Sequence, residues 1–207
     1  MSLWEERVVP HLVEKACGAG AIHKERKIAC APLFGRVLEV GFGSGLNTTH
    51  YPEAVTAVAA VEPSDQGWAM SQKRRQASAV SIERTGLDGQ DLAEDDNSCD
   101  SALLTFSLCT IPDPARALRE IARVVRPGGV LAFLEHGLSP DRTVASWQRR
   151  LDPLERLLAG GCELSRDIPA LINQSPFEII DMETKYLPGP AIMRPWGHGF
   201  RGLAVVA

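Results

Sequence analysis

Apolar residues along this chain follow two rhythms: short unbroken runs, and stripes that recur every three or four positions. Unbroken runs suit strands covered on both faces, and stripes suit helices laid against a sheet. Residues 36–40, 55–61, 101–106 and 130–135 are runs of the first kind, and 79–83 is a weaker one. Leu118, Ile121, Ala122 and Val125 give one apolar face to a helix over 115–125, opened by Pro112-Asp113-Pro114 and stopped by Arg126-Pro127-Gly128-Gly129. Alternation of the two rhythms predicts the α/β class, with a parallel sheet.

The ends of the chain depart from that alternation. Trp4, Val8, Val9, Leu12, Val13 and Ala16 predict an amphipathic helix over 4–17, interrupted or kinked at Pro10, ending before Gly18-Ala19-Gly20 and lying over the substrate side. A basic segment, 23–27, leads into the first strand. Past the fifth strand, helices are expected over 143–158 and 165–173, the second with Ser165 as N-cap. The period then changes, and 177–187 and 200–207 read as a closing antiparallel pair joined by Pro188-Gly189-Pro190 and further loop. No internal repeat or low-complexity stretch interrupts the pattern.

One junction between the rhythms carries chemistry. In Val37-Leu38-Glu39-Val40-Gly41-Phe42-Gly43-Ser44-Gly45-Leu46-Asn47, an apolar strand turns into a loop with glycine at alternate positions. Three glycines strip Cβ atoms from one side of the turn, admit positive φ cheaply and let backbone approach a nucleotide ligand. Leu46 stands where a dinucleotide fingerprint has its third glycine, and a branched side chain there crowds the helix that cradles a pyrophosphate. A nicotinamide cofactor is therefore disfavoured, and no Tyr-x-x-x-Lys pair follows the fourth strand to support one. Glu62 ends the second strand, Pro63 fixes the exit and Ser64 caps the next helix, so a carboxylate able to accept both ribose hydroxyls shares the crevice with the loop. Asp88-Gly89, within 87–92, is a third, acidic piece ahead of the fourth strand.

Composition narrows the function classes. The 207 residues, 44% hydrophobic, suffice for one substantial core, and one domain is expected over 1–207: an N-terminal helical cap over 1–34, a cofactor-binding core over 35–136, and substrate-side helices with closing strands over 137–207. A formal charge of −4, with no basic cluster larger than Lys73-Arg74-Arg75, disfavours nucleic acid as partner. Five cysteines, Cys17, Cys30, Cys99, Cys109 and Cys162, form no C-x-x-C pair and no metal-ligand spacing, so no metal is expected and a reducing cytoplasm is. No apolar run nears the roughly 20 residues of a bilayer span, and the N-terminus lacks a signal-peptide pattern. The sequence is silent on oligomeric state.

The glycine loop preceded by Glu39 resembles the first motif of the class I methyltransferases, and the resemblance runs from about 35 to 135. It implies a Rossmann-like fold whose seven-stranded, mostly parallel sheet has the order 3-2-1-4-5-7-6, with helices on both faces. It also implies S-adenosylmethionine as cofactor and S-adenosylhomocysteine as product. In it, Glu39 orders the loop and contacts the amino end of the cofactor, and backbone amides near Gly41, Gly43 and Ser44 meet the methionyl carboxylate. Phe42 and Gly45 belong to the same loop, and a short helix start at Leu46-Asn47 adds its dipole. Glu62, Pro63 and Ser64 meet the ribose, Asp88 and Gly89 the adenine, and Phe106 completes the cofactor set.

Downstream stretches are similar to a narrower branch, the thiol S-methyltransferases of the methyltransferase-like family. They are Thr105-Phe106-Ser107-Leu108-Cys109-Thr110-Ile111-Pro112-Asp113, the segment 118–129, Phe133-Leu134-Glu135-His136, Trp147-Gln148, Leu151-Asp152-Pro153, Gly161-Cys162-Glu163-Leu164-Ser165-Arg166 and the close from Pro195 to Ala204. The branch implies methyl transfer to a small-molecule acceptor, a thiol before a phenolic, quinone-like or lipid O, N or C atom. Its animal members carry a hydrophobic N-terminal anchor that has no counterpart here, so no stable membrane anchor is expected. His136, directly after the fifth strand at the carboxyl edge of the sheet, is the candidate general base or substrate orienter. Leu108 and Cys109 follow the fourth strand at the same edge, where Cys109 lines a pocket or fills a core. Trp147 walls the pocket or packs the cap, and Arg166 holds an anionic acceptor or pairs with Asp152 or Glu163. A binding module that keeps the fold without turnover is the remaining alternative.

Overall fold

Val37, Leu38 and Val40 of β1 (Gly35–Val40) are buried, on both faces of the strand. Such a strand is satisfied only at the centre of a layered sheet, with partners on both edges and helices above and below. The computed structural model, which describes residues 3–18, 20–187 and 190–206, places it there. The other strands are β2 (Val55–Val61), β3 (Ser81–Gly86), β4 (Cys99–Thr105), β5 (Val125–His136), β6 (Phe177–Tyr186) and β7 (His198–Val206). Their order is β3-β2-β1-β4-β5-β7-β6, the order that the resemblance implies. The first five run parallel, and β7 lies antiparallel to both β5 and β6.

Helices α1 (Leu3–Arg7), α2 (Val9–Cys17) and α3 (Gly20–Cys30) precede the sheet. Next, α4 (Asp65–Met70) and α5 (Gln72–Ala77) link β2 to β3, and α6 (Pro114–Val124) links β4 to β5. Finally, α7 (Arg142–Leu158) and α8 (Ile168–Asn173) follow β5, and α9 (Arg194–Gly197) precedes β7. Asp113 caps α6 by accepting from the Arg116 N–H at 2.9 Å, Pro114 opens it, and Ala117, Leu118, Ile121 and Val124 form its buried face. Each large side chain on that face stabilises the fold by about 1.5–3 kcal/mol relative to exposure. One core joins Leu38, Val40, Leu104 and Phe133 to α6 and α8. On the opposite face, Val37, Val58, Leu103 and Ala132 meet Cys30 and Leu33.

Several expectations shift. The N-terminal helix divides at Val8, where Pro10 enters the first turn of α2 with no N–H to donate. The segment read only as basic, 23–27, lies within α3. Glu25 and Arg26 are buried on it one turn before Ala29 and Cys30, so charged residues interrupt the apolar stripe of its inward face. No helix starts at Leu46-Asn47; residues 46–50 form turns closed by Thr48 N–H to Gly45 O (3.2 Å) and His50 N–H to Asn47 O (2.8 Å). The expected helix dipole is therefore missing from the glycine loop. Arg126-Pro127-Gly128-Gly129 ends α6 as expected, but β5 already takes up these residues, across a register shift against β4. Asp167, not Ser165, caps α8, accepting from Ala170 N–H at 3.1 Å, while the Ser165 hydroxyl donates to Asp152 at 2.5 Å. Pro188-Gly189 and Ala207 lie outside the described residues.

Candidate active site

A cavity of about 520 Å3 opens at the carboxyl ends of β1, β2 and β4, where successive connections leave the sheet in opposite directions. Ligands of open α/β sheets bind at such a switch point, and the volume lies within the roughly 300–1,000 Å3 of small-molecule sites. Its walls are the glycine loop, the tip of β2 at Glu62, Pro63 and Ser64, Asp88 and Gly89 after β3, and Phe106 after β4. Helix α2 closes the remaining side through Val9, Val13, Glu14 and Cys17.

The loop glycines are required by conformation and by space. Gly41, Gly43 and Gly45 have φ of 80°, 57° and 78°, and a Cβ on Gly41 would stand 2.1 Å from the Ser107 hydroxyl. Gly41 and Phe42 donate their N–H groups to the Val61 carbonyl at 2.9 and 3.2 Å, and Gly43 donates to Glu62 Oε2 at 2.5 Å. This corrects the sequence reading, in which the Gly41 and Gly43 amides meet a ligand carboxylate: both are bonded within the protein. Ser44 lines the cavity, and its hydroxyl donates to Glu14, which also pairs with Arg74 at 2.7 Å. These contacts pin α2 over the loop.

Glu62 is buried, with Oε1 accepting from Ser64 N–H at 2.8 Å and Oε2 from Gly43 N–H. Burial raises its pKa against the opposing pull of these amides. Each oxygen retains a second acceptor direction, the requirement for receiving a pair of ribose hydroxyls. Arg84 holds the strand tip by donating to the Glu62 carbonyl at 2.9 and 2.6 Å. Asp88 is exposed at the cavity rim, its Oδ1 accepting from the N–H and side-chain amide of Gln90, which lowers its pKa. Gly89 lies so close to Val40 that a Cβ would approach its side chain to 2.6 Å.

Glu39, Gly45 and Asn47 stand behind the cavity wall rather than on it. Glu39 is fully buried, accepts from Asn47 Nδ2 at 3.0 Å and from the Tyr51 hydroxyl, and burial pushes its pKa up to about 7. It orders the loop from beneath, with one oxygen on Asn47 and the other on Tyr51. Asn47 also accepts from Arg26 at 2.8 Å and donates to the Thr105 hydroxyl at 3.0 Å. Arg26, missed by the sequence reading, is buried, lines the cavity and carries its guanidinium 5.4 Å from the Phe106 ring centre. Phe106 itself has φ of 56°, a strained conformation for a non-glycine residue, of the kind that concentrates at functional sites.

The four residues assigned to substrate, and His136, lie off the cavity wall. Leu108 is in the core beneath it, and Trp147 is half exposed with Arg150 stacked on its ring at 5.5 Å. Arg166 pairs with Glu163 at 3.2 Å and donates to the carbonyls of Leu108 and Ile111, so it braces the loop after β4 instead of holding an acceptor. Cys109 packs with Cys162, Leu164 and Trp196. His136 Nε2 faces Cys162 Sγ at 3.4 Å. Cys162 has a lowered pKa because Cys109 hydrogen-bonds to it and His136 stands beside it, whereas the Cys109 pKa is raised. Burial works to lower the His136 pKa, yet the facing sulfur and Glu135 leave it raised.

Sheet order, a glycine turn at the switch point and a buried acid at the next strand tip define the Rossmann-like fold class of the methyltransferases. Residues 38–133 match the family described as Methyltransferase domain. Over 169 residues the chain is 33% identical to Thiol S-methyltransferase TMT1B of Rattus norvegicus, covering 76% of this chain and 68% of that protein. It is 29% identical over 171 residues to Thiol S-methyltransferase TMT1A of Homo sapiens, covering 79% of this chain and 69% of that one. A solved SAM-dependent methyltransferase structure from Thermotoga maritima aligns over 100% of both chains with a TM-score of 0.70 at 19% identity, a likeness of fold. The chain belongs to the class I S-adenosylmethionine-dependent methyltransferases: it is an enzyme, and S-adenosylmethionine is its cofactor.

Proposed function

We propose that this enzyme methylates small-molecule thiols. The observation that carries the reading is the make-up of the cavity wall. Among the described residues, its titratable side chains are Glu14, Cys17, Arg26, Glu62 and Asp88, and the side facing Thr110, Ile111, Pro112, Ala159 and Gly160 presents no base. An acceptor bound there must bring its own nucleophile. At pH 7.5 roughly a tenth of a thiol with pKa near 8.5 is thiolate, against a few tenths of a per cent of a phenol with pKa near 10. A thiol therefore needs least from this wall, and the relatives named thiol S-methyltransferases point the same way.

When bound, S-adenosylmethionine supplies an electrophilic methyl group on a sulfonium, open to in-line displacement. The chain's own residues fit that group: Glu62 offers a buried paired acceptor for ribose hydroxyls, and Gly41 and Gly89 line the cavity without a side chain. Asp88 and Gly89 border the adenine end. With the Gly41 and Gly43 amides engaged, we assign the cofactor carboxylate to Arg26, the buried guanidinium on the wall, and to the Ser44 side of the loop. Helix α2 and Phe106 exclude water from the transfer. His136 serves the packing behind Phe106, not proton removal.

A product screen by mass spectrometry with labelled methyl donor tests the acceptor class. The expected result is S-methylated products from alkyl and aryl thiols, with rates that rise with pH toward each thiol's pKa. Turnover confined to phenols, quinols, amines or lipids would replace the thiol reading by the O, N or C alternative.

A further inference from the structure

We propose that Cys109, His136 and Cys162 form a binding site for a soft divalent cation of the zinc type. The three residues come from separate segments, the loop after β4, the end of β5 and the loop between α7 and α8, so their spacing in sequence gives no sign of a site. In the fold their ligand atoms all lie within 4.8 Å of one another. His136 Nε2 and Cys162 Sγ are 3.4 Å apart. Two atoms bonded to one tetrahedral zinc, with Zn–N of about 2.0–2.1 Å and Zn–S of about 2.3 Å, are separated by about 3.5 Å. Two sulfurs and an imidazole are also the donor set that selects such a cation over magnesium or calcium.

Both cysteines are free thiols buried in the fold, so the donor atoms converge in an enclosed place and are not held in a disulfide. Binding would release to solvent the proton of the Cys109 thiol and any proton held between Cys162 Sγ and His136 Nε2, form two Zn–S bonds and one Zn–N bond, and leave a fourth position to water. No electron transfer is involved.

The location gives the ion a purpose. Phe106, Thr110, Ala159 and Gly160 line the cavity and are near neighbours in sequence of Cys109 and Cys162. A cation tying those two loops to the end of β5 would fix the wall that faces the acceptor. That role concerns the build of the site and is independent of which acceptor is methylated.

The test uses the reduced full-length chain, titrated with Zn2+ against a competing chelator and, separately, with Co2+. One equivalent of Zn2+ should bind and raise the thermal midpoint. Co2+ should give sulfur-to-metal charge transfer in the near ultraviolet and the intense visible bands of a tetrahedral site. Cys162→Ser and Cys109→Ser should each weaken Zn2+ binding by at least about 100-fold, while Cys17→Ser leaves it unchanged. Mass spectrometry of the intact, unmodified protein under native conditions needs no variant: it should retain one Zn2+ per chain. Absence of a stoichiometric site in the reduced protein, or binding that survives both serine variants, would overturn the proposal.

Discussion

Glu62 and Arg26 show how differently two site residues declare themselves. An acid directly after an apolar run, ahead of Pro63 and Ser64, is visible as a strand tip, and the structure has it there with both oxygens on backbone amides. Arg26 was hidden because nothing in 23–27 distinguishes a buried guanidinium from four solvated charges. Only the fold, by bringing Asn47 and Thr105 to it, makes burial tolerable. The assignment of Arg26 to the cofactor carboxylate is checked with two ligands. Arg26→Met should weaken S-adenosylhomocysteine binding by at least about tenfold, the scale of a lost charge-assisted hydrogen bond. Methylthioadenosine, which lacks the carboxylate, should bind the variant and the parent alike in the same calorimetric titration; an equal loss for both ligands would make Arg26 a structural residue only.

At the scale of elements, the strand-and-helix alternation was legible because central strands cannot avoid continuous apolar runs and α6 cannot avoid its stripe. Boundaries slipped where a local rule competed with tertiary contact. Ser165 is a good cap by type, yet it spends its hydroxyl on Asp152, and the Pro169 ring favours a start at Ile168 instead. Helix α3 was missed for the reason that hid Arg26. The role of α2 follows from its contacts: its Glu14 reaches Ser44 and Arg74, so the helix is fastened across the cofactor side of the cavity. Glu14→Ala should speed S-adenosylhomocysteine release by up to about fivefold, in keeping with a partly exposed ion pair worth up to ~1 kcal/mol. Stopped-flow displacement measures it, and an unchanged release rate would mean that α2 does not gate the cavity.

The whole molecule inherits a pH dependence from acids that the sheet buries. Glu39 and Glu135 have pKa values pushed up to about 7 by burial, from the 4.5 of an ordinary glutamate. An acid whose pKa is higher folded than unfolded costs nothing while both states are protonated and its full penalty once both are ionised. Stability from these groups therefore falls as pH rises from about 4.5 to about 7 and is flat above. His50 and His198, whose pKa values burial lowers, act in the opposite sense as pH falls through their range. A comparison of variants separates the two: Glu39→Gln should flatten the decline of the thermal midpoint between pH 5 and 7.5 relative to the parent. Parallel pH profiles would show that Glu39 is not ionising in the fold within that interval.

The long-range layout of the sheet was readable from pattern and resemblance together, whereas the meeting of Cys109, His136 and Cys162 depends on three connections whose paths no local spacing encodes. The cofactor cavity draws all these scales together, and its ribose anchor is the most direct point of test. Isothermal titration of S-adenosylhomocysteine into the parent enzyme and into Glu62→Ala should give one site per chain in the first. In the second, affinity should be lower by about 1–3 kcal/mol, with folding retained. Identical affinity in both would place the adenosyl group away from Glu62 and contradict the site described.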